Sequence, residues 1–146
     1  MRTRVWAAPA AVVAGLALAL AAPASASEAP SASGVEWSSQ FETATAAGQR
    51  WTEPGTSAIT RDLVINGTLS NTGENCYTVW TSFVFDFAPG PIRKQAQICG
   101  PGAVDFNARQ AYRPTTTGYL TVCKGTEDTS ECAPWENITW WPINQN

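Results

Sequence analysis

The chain predicts an all-β fold: an antiparallel β-sandwich, immunoglobulin-like or Greek-key, with about six to eight strands and two disulfides. Three observations carry this. Apolar and polar residues alternate with period two from about residue 57 onward. Clusters of Gly, Pro, Asn and Ser interrupt that alternation at intervals of roughly 8 to 12 residues, the turn spacing of a sandwich or small barrel. No stretch shows the 3.6-residue apolar period of an amphipathic helix.

The first 26 residues predict an export signal. Arg2 and Arg4 form a short positive region, residues 5–22 are apolar apart from Pro9 and Gly15, and Ala24-Ser25-Ala26 places small residues at a cleavage site before Ser27. The arginines are separated by Thr3, so the signal is not of the twin-arginine type. Residues 27–36, mostly Ser, Ala, Pro, Gly and Glu, have nothing to bury and are expected to be a disordered lead-in. Residues 37–146 then make one domain.

Within that domain, residues 37–51 are ambiguous, since Thr43 and Thr45 favour a strand while Ala44, Ala46 and Ala47 permit a helix; they are read as one weak first strand. In the next strand Ile59, Leu63, Ile65 and Leu69 share one face and Thr60, Asp62, Asn66 and Thr68 the other, with Val64 exceptional on the outer face. Asn71 and Gly73 then mark a turn. Residues 76–87 put Tyr77, Val79, Phe83, Phe85 and Phe87 on one face and Cys76, Trp80 and Val84 on the other, the pattern of a central strand between two layers. Ala88-Pro89-Gly90-Pro91 ends it. Ile92, Lys94, Ala96 and Ile98 alternate with Arg93, Gln95 and Gln97 before the turn Cys99-Gly100-Pro101-Gly102. Val104, Phe106, Ala108 and Tyr112 form a further strand, and residues 119–124 another, with Leu120 and Val122 opposite Tyr119, Thr121 and Cys123. Pro142 demotes the Trp-rich tail to an edge strand or extended segment.

Four cysteines in an exported chain predict a disulfide framework with three possible pairings, of which Cys76 with Cys99 and Cys123 with Cys132 is the one expected. The intervening lengths of 22, 23 and 8 residues lack the two close pairs of a four-cysteine metal site. A tight loop at residues 88–91 would set Trp80, not Cys76, opposite Cys99. Either the hairpin is looser, or that bridge ties two sheets across a corner.

The 146-residue chain has no His, so Ser-His-Asp sites, imidazole proton shuttles and His-ligated zinc or haem lack their usual base or ligand. No metal or cofactor is expected. Loss of residues 1–26 removes two arginines and no acid, which takes the formal charge from -3 to -5 over 120 residues. That balance excludes nucleic acid and an anionic bilayer as partners. A monomer is expected.

Three constellations are candidates for function. Trp135, Asn137, Trp140 and Trp141 set flat indole faces beside an amide, the chemistry of a sugar platform. Residues 124–131, closed by Cys123 and Cys132, could present a preorganised surface to a protein partner, as an inhibitor does. Asp86 and Asp105 are the strand-borne acids a small hydrolase would need to pair with a second carboxylate across a cleft. The expectation is a secreted, non-catalytic module binding an extracellular glycan, with an inhibitor or partner-binding protein second and a carboxylate-dependent hydrolase third.

The Ala-rich leader, Asn71-Thr72-Gly73, Cys76-Tyr77, Val79-Trp80, Cys99-Gly100-Pro101-Gly102 and residues 116–123 together resemble small secreted actinobacterial proteins of uncharacterised function. The resemblance covers roughly residues 57–143 and implies export, but no activity. The secreted α-amylase inhibitors carry a Trp-Arg-Tyr recognition turn, which Arg50-Trp51-Thr52 does not reproduce. Nothing between Cys99 and Cys123 resembles the reactive loop of the subtilisin inhibitors.

Overall fold

The structure, a computed structural model, describes residues 34–57, 60–140 and 143. The expected signal peptide, most of the lead-in, Ile59, Trp141 and Pro142 lie outside the described residues. The strands are β1 (Val35–Phe41), β2 (Ala44–Pro54), β3 (Arg61–Asn71), β4 (Cys76–Phe85), β5 (Ala88–Pro89), β6 (Arg93–Cys99), β7 (Gly102–Tyr112), β8 (Thr116–Lys124) and β9 (Glu136–Asn137). They form two antiparallel sheets. One has the order β1-β2-β3-β7, and the other the order β5-β4-β8-β9 with β6 also paired to β4.

The alternation of β3 places Leu63, Ile65 and Leu69 inward, where they meet Tyr77, Val79 and Phe83 of β4 and Leu120 and Val122 of β8 in one core. Full burial of each such side chain contributes about 1.5–3 kcal/mol. Ile138 and Ile143, past the last strand, belong to the same core. Trp37 reaches from the edge strand β1 across the inner face to Phe106, with ring centroids 5.8 Å apart. Its path is cleared by glycine: a Cβ at Gly67 would lie 2.5 Å from Trp37 Cζ2, well inside van der Waals contact.

Several expected details are corrected. Residues 37–51 form two strands, not one, because Glu42 turns the chain at a positive φ of 51°. The lead-in ends earlier than expected, since Val35 and Glu36 pair with Arg50 and Gln49. Val64 is on the outer face but buried, flanked by its register partners Trp51 and Arg109. Glu53 accepts from Trp51 Nε1 at 2.7 Å and pairs with Arg109, which holds that cover in place. The strand after Asn71 is central within its sheet, between β6 and β8, but no second layer covers Trp80 or Val84, which stay partly exposed. Phe87 leaves the core face altogether. Asp86 and Phe87 take φ of 47° and 69° at a hairpin tip, and Phe87 is 99% exposed.

Both expected disulfides form. Cys76 stands directly opposite Cys99 on adjacent strands of one sheet, so the bridge does not cross between sheets. The register that would have opposed Trp80 to Cys99 fails for two reasons. The chain turns at Asp86-Phe87 rather than at residues 88–91, so that Phe85 opposes Ala88 and Val84 opposes Pro89, and a bulge then shifts the ladder between Val79 and Trp80. On the chain-entropy account each bridge contributes about 3 kcal/mol. Two disulfides fit an oxidising compartment.

One end of the sandwich is organised by Asn71, which is 3% exposed. Its Nδ2 donates to the carbonyls of Gly73, Asn75 and Gly100 at 2.8–2.9 Å. Its Oδ1 accepts from Thr43 Oγ1 at 2.8 Å and from Gly73 N at 3.0 Å. The same end carries Glu42, which accepts from Tyr77 OH at 2.6 Å and from Lys124 Nζ at 3.0 Å, linking the β1–β2 turn to the opposite sheet. The Tyr77 hydroxyl, and then Lys124, hold the Glu42 carboxyl below its ordinary value.

Asn71→Ala should cost about 2–3 kcal/mol by stranding those carbonyls and the Thr43 hydroxyl, read by urea denaturation with an unchanged m-value; a loss below about 0.5 kcal/mol, the usual size for an exposed site, contradicts the assignment. A carboxyl lowered on folding stabilises the fold above its unfolded pKa, and that contribution is lost as pH falls through the folded pKa. Stability should therefore decline below about pH 4.5, the ordinary glutamate value. In Glu42→Gln that decline should be shallower in pH-dependent melting, and an unaltered slope would contradict it.

Candidate functional site

The outward face of the second sheet carries an aromatic groove of about 400 Å³ lined by Ser82, Val84, Ile92, Tyr119 and Trp135. Strand register builds it. Ser82 opposes Tyr119, and Val84 opposes Thr117 on one side and Pro89 on the other, so all point to the same face. The bulge that places Lys94 opposite Trp80 turns the start of β6 outward, and Ile92 is 48% exposed beside the groove. Trp135 enters from the chain that runs along β8 after Cys132 and is 38% exposed. One row further along β4, Lys94 Nζ lies 5.4 Å from the centroid of the Trp80 ring and binds Gln97 Oε1 at 3.2 Å.

The floor under Trp135 is rigid. Thr121 Oγ1 donates to the Ala133 carbonyl at 2.9 Å, and Ala133 N donates to the Val122 carbonyl at 2.9 Å. This crossing chain explains why Thr121 and Cys123, outward by alternation, are fully buried.

The structure separates the predicted platform residues. Trp135 lines the aromatic groove. Asn137 opposes Tyr119 in the ladder, but its Oδ1 accepts from Thr139 N at 2.8 Å and Thr139 Oγ1 at 3.0 Å, which shapes the turn leading to Trp140. With Glu136 it forms one wall of a second cavity, about 790 Å³, whose other wall includes Glu36, Ser38 and Gln49. Trp140 is 70% exposed, and its carbonyl accepts from Arg50 Nη2 at 3.2 Å. Arg50 is 7% exposed with no carboxylate partner among the described residues, and burial pushes its pKa down. Trp141 lies outside the described residues.

The other candidates are placed as follows. Residues 124–131 are tied down rather than free: Gly125 N donates to the Cys76 carbonyl at 2.8 Å, Thr78 Oγ1 to the Gly125 carbonyl at 2.7 Å, and Lys94 Nζ to the Thr126 carbonyl. Ser130 N and Oγ donate to Asp128 at 2.9 and 2.6 Å, which lowers the Asp128 pKa. Asp86 borders a cavity of about 200 Å³ with Arg113 and Thr116. Asp105 accepts from Thr68 Oγ1 at 2.5 Å on the outer face of the first sheet. Asp105 also borders a shallow cavity with Asn66 and Thr68, and among the described residues neither its lining nor that of the Asp86 cavity includes a second acid.

Tyr119, Val84 and Ser82 were missed as site residues although their outward parity was legible. Ile92 was missed because simple alternation from Ile98 puts it inward, and only the bulge reverses that. No family model, curated protein or solved structure matches the chain.

Oxidation by N-bromosuccinimide followed by peptide mass spectrometry should modify Trp135 and Trp140 while sparing Trp37, which is 6% exposed. Protection of Trp135 would contradict its placement in an open groove.

Proposed function

We propose that the protein is a secreted, non-catalytic binding module that takes an extracellular or cell-envelope glycan on the aromatic groove of the second sheet. The observation that carries this is the grouping of Trp135, Tyr119, Val84 and Ile92 on one outward face, with the hydroxyl of Ser82 among them. The C–H face of a pyranose loses apolar surface to water against such rings, and its hydroxyls remain at the rim for polar groups. The groove stands on a ladder held by both disulfides, so little conformational entropy is lost on binding. Export is supported by the leader-like residues 1–26 and by the two bridges.

A second reading, an inhibitor or partner-binding protein, is favoured by one observation: residues 124–131 are held by a disulfide and by hydrogen bonds to Cys76, Thr78 and Lys94, the preorganisation that tight protein recognition uses.

Glycan-array screening followed by calorimetry should find a ligand whose affinity falls at least about tenfold in Trp135→Ala, the effect of losing about 1.4 kcal/mol of aromatic contact. Unchanged affinity in both Trp135→Ala and Tyr119→Ala would overturn the proposal. Capture of an extracellular hydrolase that is lost on altering residues 124–131 would replace it with the second reading.

A further inference from the structure

We infer that the groove is one end of a longer track, which passes over β9 and continues across the outward face of the first sheet, so that the ligand is a neutral polysaccharide chain held at several points. This rests on the glycan proposal above and adds to it the length and charge class of the ligand.

The two surfaces meet at β9. Trp135 of the aromatic groove precedes Glu136 of the second cavity, and Tyr119 of the groove directly opposes Asn137 of that cavity. The second cavity is continuous in turn with a third, of about 390 Å³, because both are lined by Ala47, Gly48 and Gln49. The third lies between the outward rows of Gln49 and Asn66 and of Ala47, Thr68 and Asp105, over the backbone of Gly48 and Gly67, whose own row faces the core.

The ladder arranges the polar groups along this path in rows. Glu36, Gln49, Asn66 and Asn107 stand opposite one another on β1, β2, β3 and β7. Ser38, Ala47, Thr68 and Asp105 form the next row. Each row crosses three inter-strand spacings, about 14 Å. Polar residues on an outward sheet face are ordinary. What distinguishes these is the concave surface that all but Asn107 line, its continuity with an aromatic groove, and the unspent groups: among the described residues the side chains of Glu36, Ser38, Gln49 and, at the end of the row, Asn107 make no hydrogen bond to the protein. Amides and carboxylates spaced in this way both donate to and accept from the vicinal hydroxyls of an extended sugar chain.

Charge narrows the class. Glu36, Asp105 and Glu136 border the path; of the cations near it, Arg109 is paired with Glu53 and Asp62, Arg50 is buried with Nη2 on the Trp140 carbonyl, and Lys94 is engaged by Gln97 and the Thr126 carbonyl, so the exposed charge along the path is mainly negative. A polyanion would meet like charge there, whereas an uncharged chain would not.

The probes are cello- and chito-oligosaccharides from two to six sugars, titrated calorimetrically against the whole mature chain. In the wild-type protein the hexasaccharide of the preferred series should bind at least about tenfold more tightly than its disaccharide. In the Gln49→Ala/Asn107→Ala double variant, both exposed positions, that ratio should fall below about threefold. Trp135→Ala should weaken every length alike. Near-ultraviolet circular dichroism identical to wild type shows that the double variant is folded; if it is not, Glu36→Gln is used with the same criterion.

A length ratio that persists in the folded variant overturns the track and leaves the glycan proposal standing. Failure of the wild type to bind either series overturns both. Binding of an oligolysine peptide that is abolished by 0.5 M salt and lost in the double variant would assign the polar face to a basic partner and overturn the track.

Discussion

The amide of Asn71 is where three turns of the sandwich are held to one another. Its Nδ2 reaches the carbonyls of Gly73 and Asn75 in the β3–β4 turn and of Gly100 in the β6–β7 corner, while its Oδ1 holds Thr43 of the β1–β2 turn. A buried amide is costly unless its hydrogen-bonding capacity is used, and here both the oxygen and the nitrogen are engaged. The consequence reaches further than the end of the fold. β3 belongs to the first sheet and β4 to the second, so the residue that closes β3 also sets where the second sheet begins. With Cys76 bridged to Cys99 a few residues away, the start of β4 is fixed on both sides. From that fixed start, alternation along β4 decides that Tyr77, Val79 and Phe83 face the core and Trp80, Ser82 and Val84 face out.

The fold class was legible because period-two alternation is a direct record of which face is buried, and β3, β7 and β8 follow it almost without exception. That the four cysteines form two bridges was legible from their even number and the export-like leader, but which of three pairings they adopt was not, because simple register set Trp80 rather than Cys76 opposite Cys99. What escaped was decided by contacts between distant segments. Val64 looks like an apolar residue misplaced on a solvent face until Trp51 and Arg109 are brought beside it by register. Thr121 and Cys123 look exposed until the chain after Cys132 crosses them. Phe87 looks like the next core residue of β4, but the hairpin turns at Asp86 through two positive φ angles that sequence alternation does not encode.

The same logic applies to the candidate site. A cluster of tryptophans close in sequence suggested a single platform at residues 135–141, yet a strand that ends in a turn at Thr139 cannot hold Trp135 and Trp140 on one face. Among the described residues of that group only Trp135 joins the groove, and its companions Tyr119, Val84 and Ile92 come from three other segments of the chain. Asn137 was the right residue type but is spent on shaping the local turn while it borders the neighbouring polar cavity. The bulge between Val79 and Trp80 shapes the groove: by displacing Gln95 from the ladder it sends Lys94 and Ile92 to the outward face, which gives the groove its aliphatic wall and a cation beside Trp80.

The proposed ligand contacts one continuous surface, running from Trp135 over β9 to the polar rows of the first sheet. Titrating the ¹⁵N-labelled protein with an oligosaccharide of six sugars tests it residue by residue. The Trp135 indole N–H and the side-chain amides of Asn137, Gln49 and Asn107 should shift, with the amides of residues 124–131 unmoved. Shifts confined to residues 124–131, or none at Trp135, would contradict it.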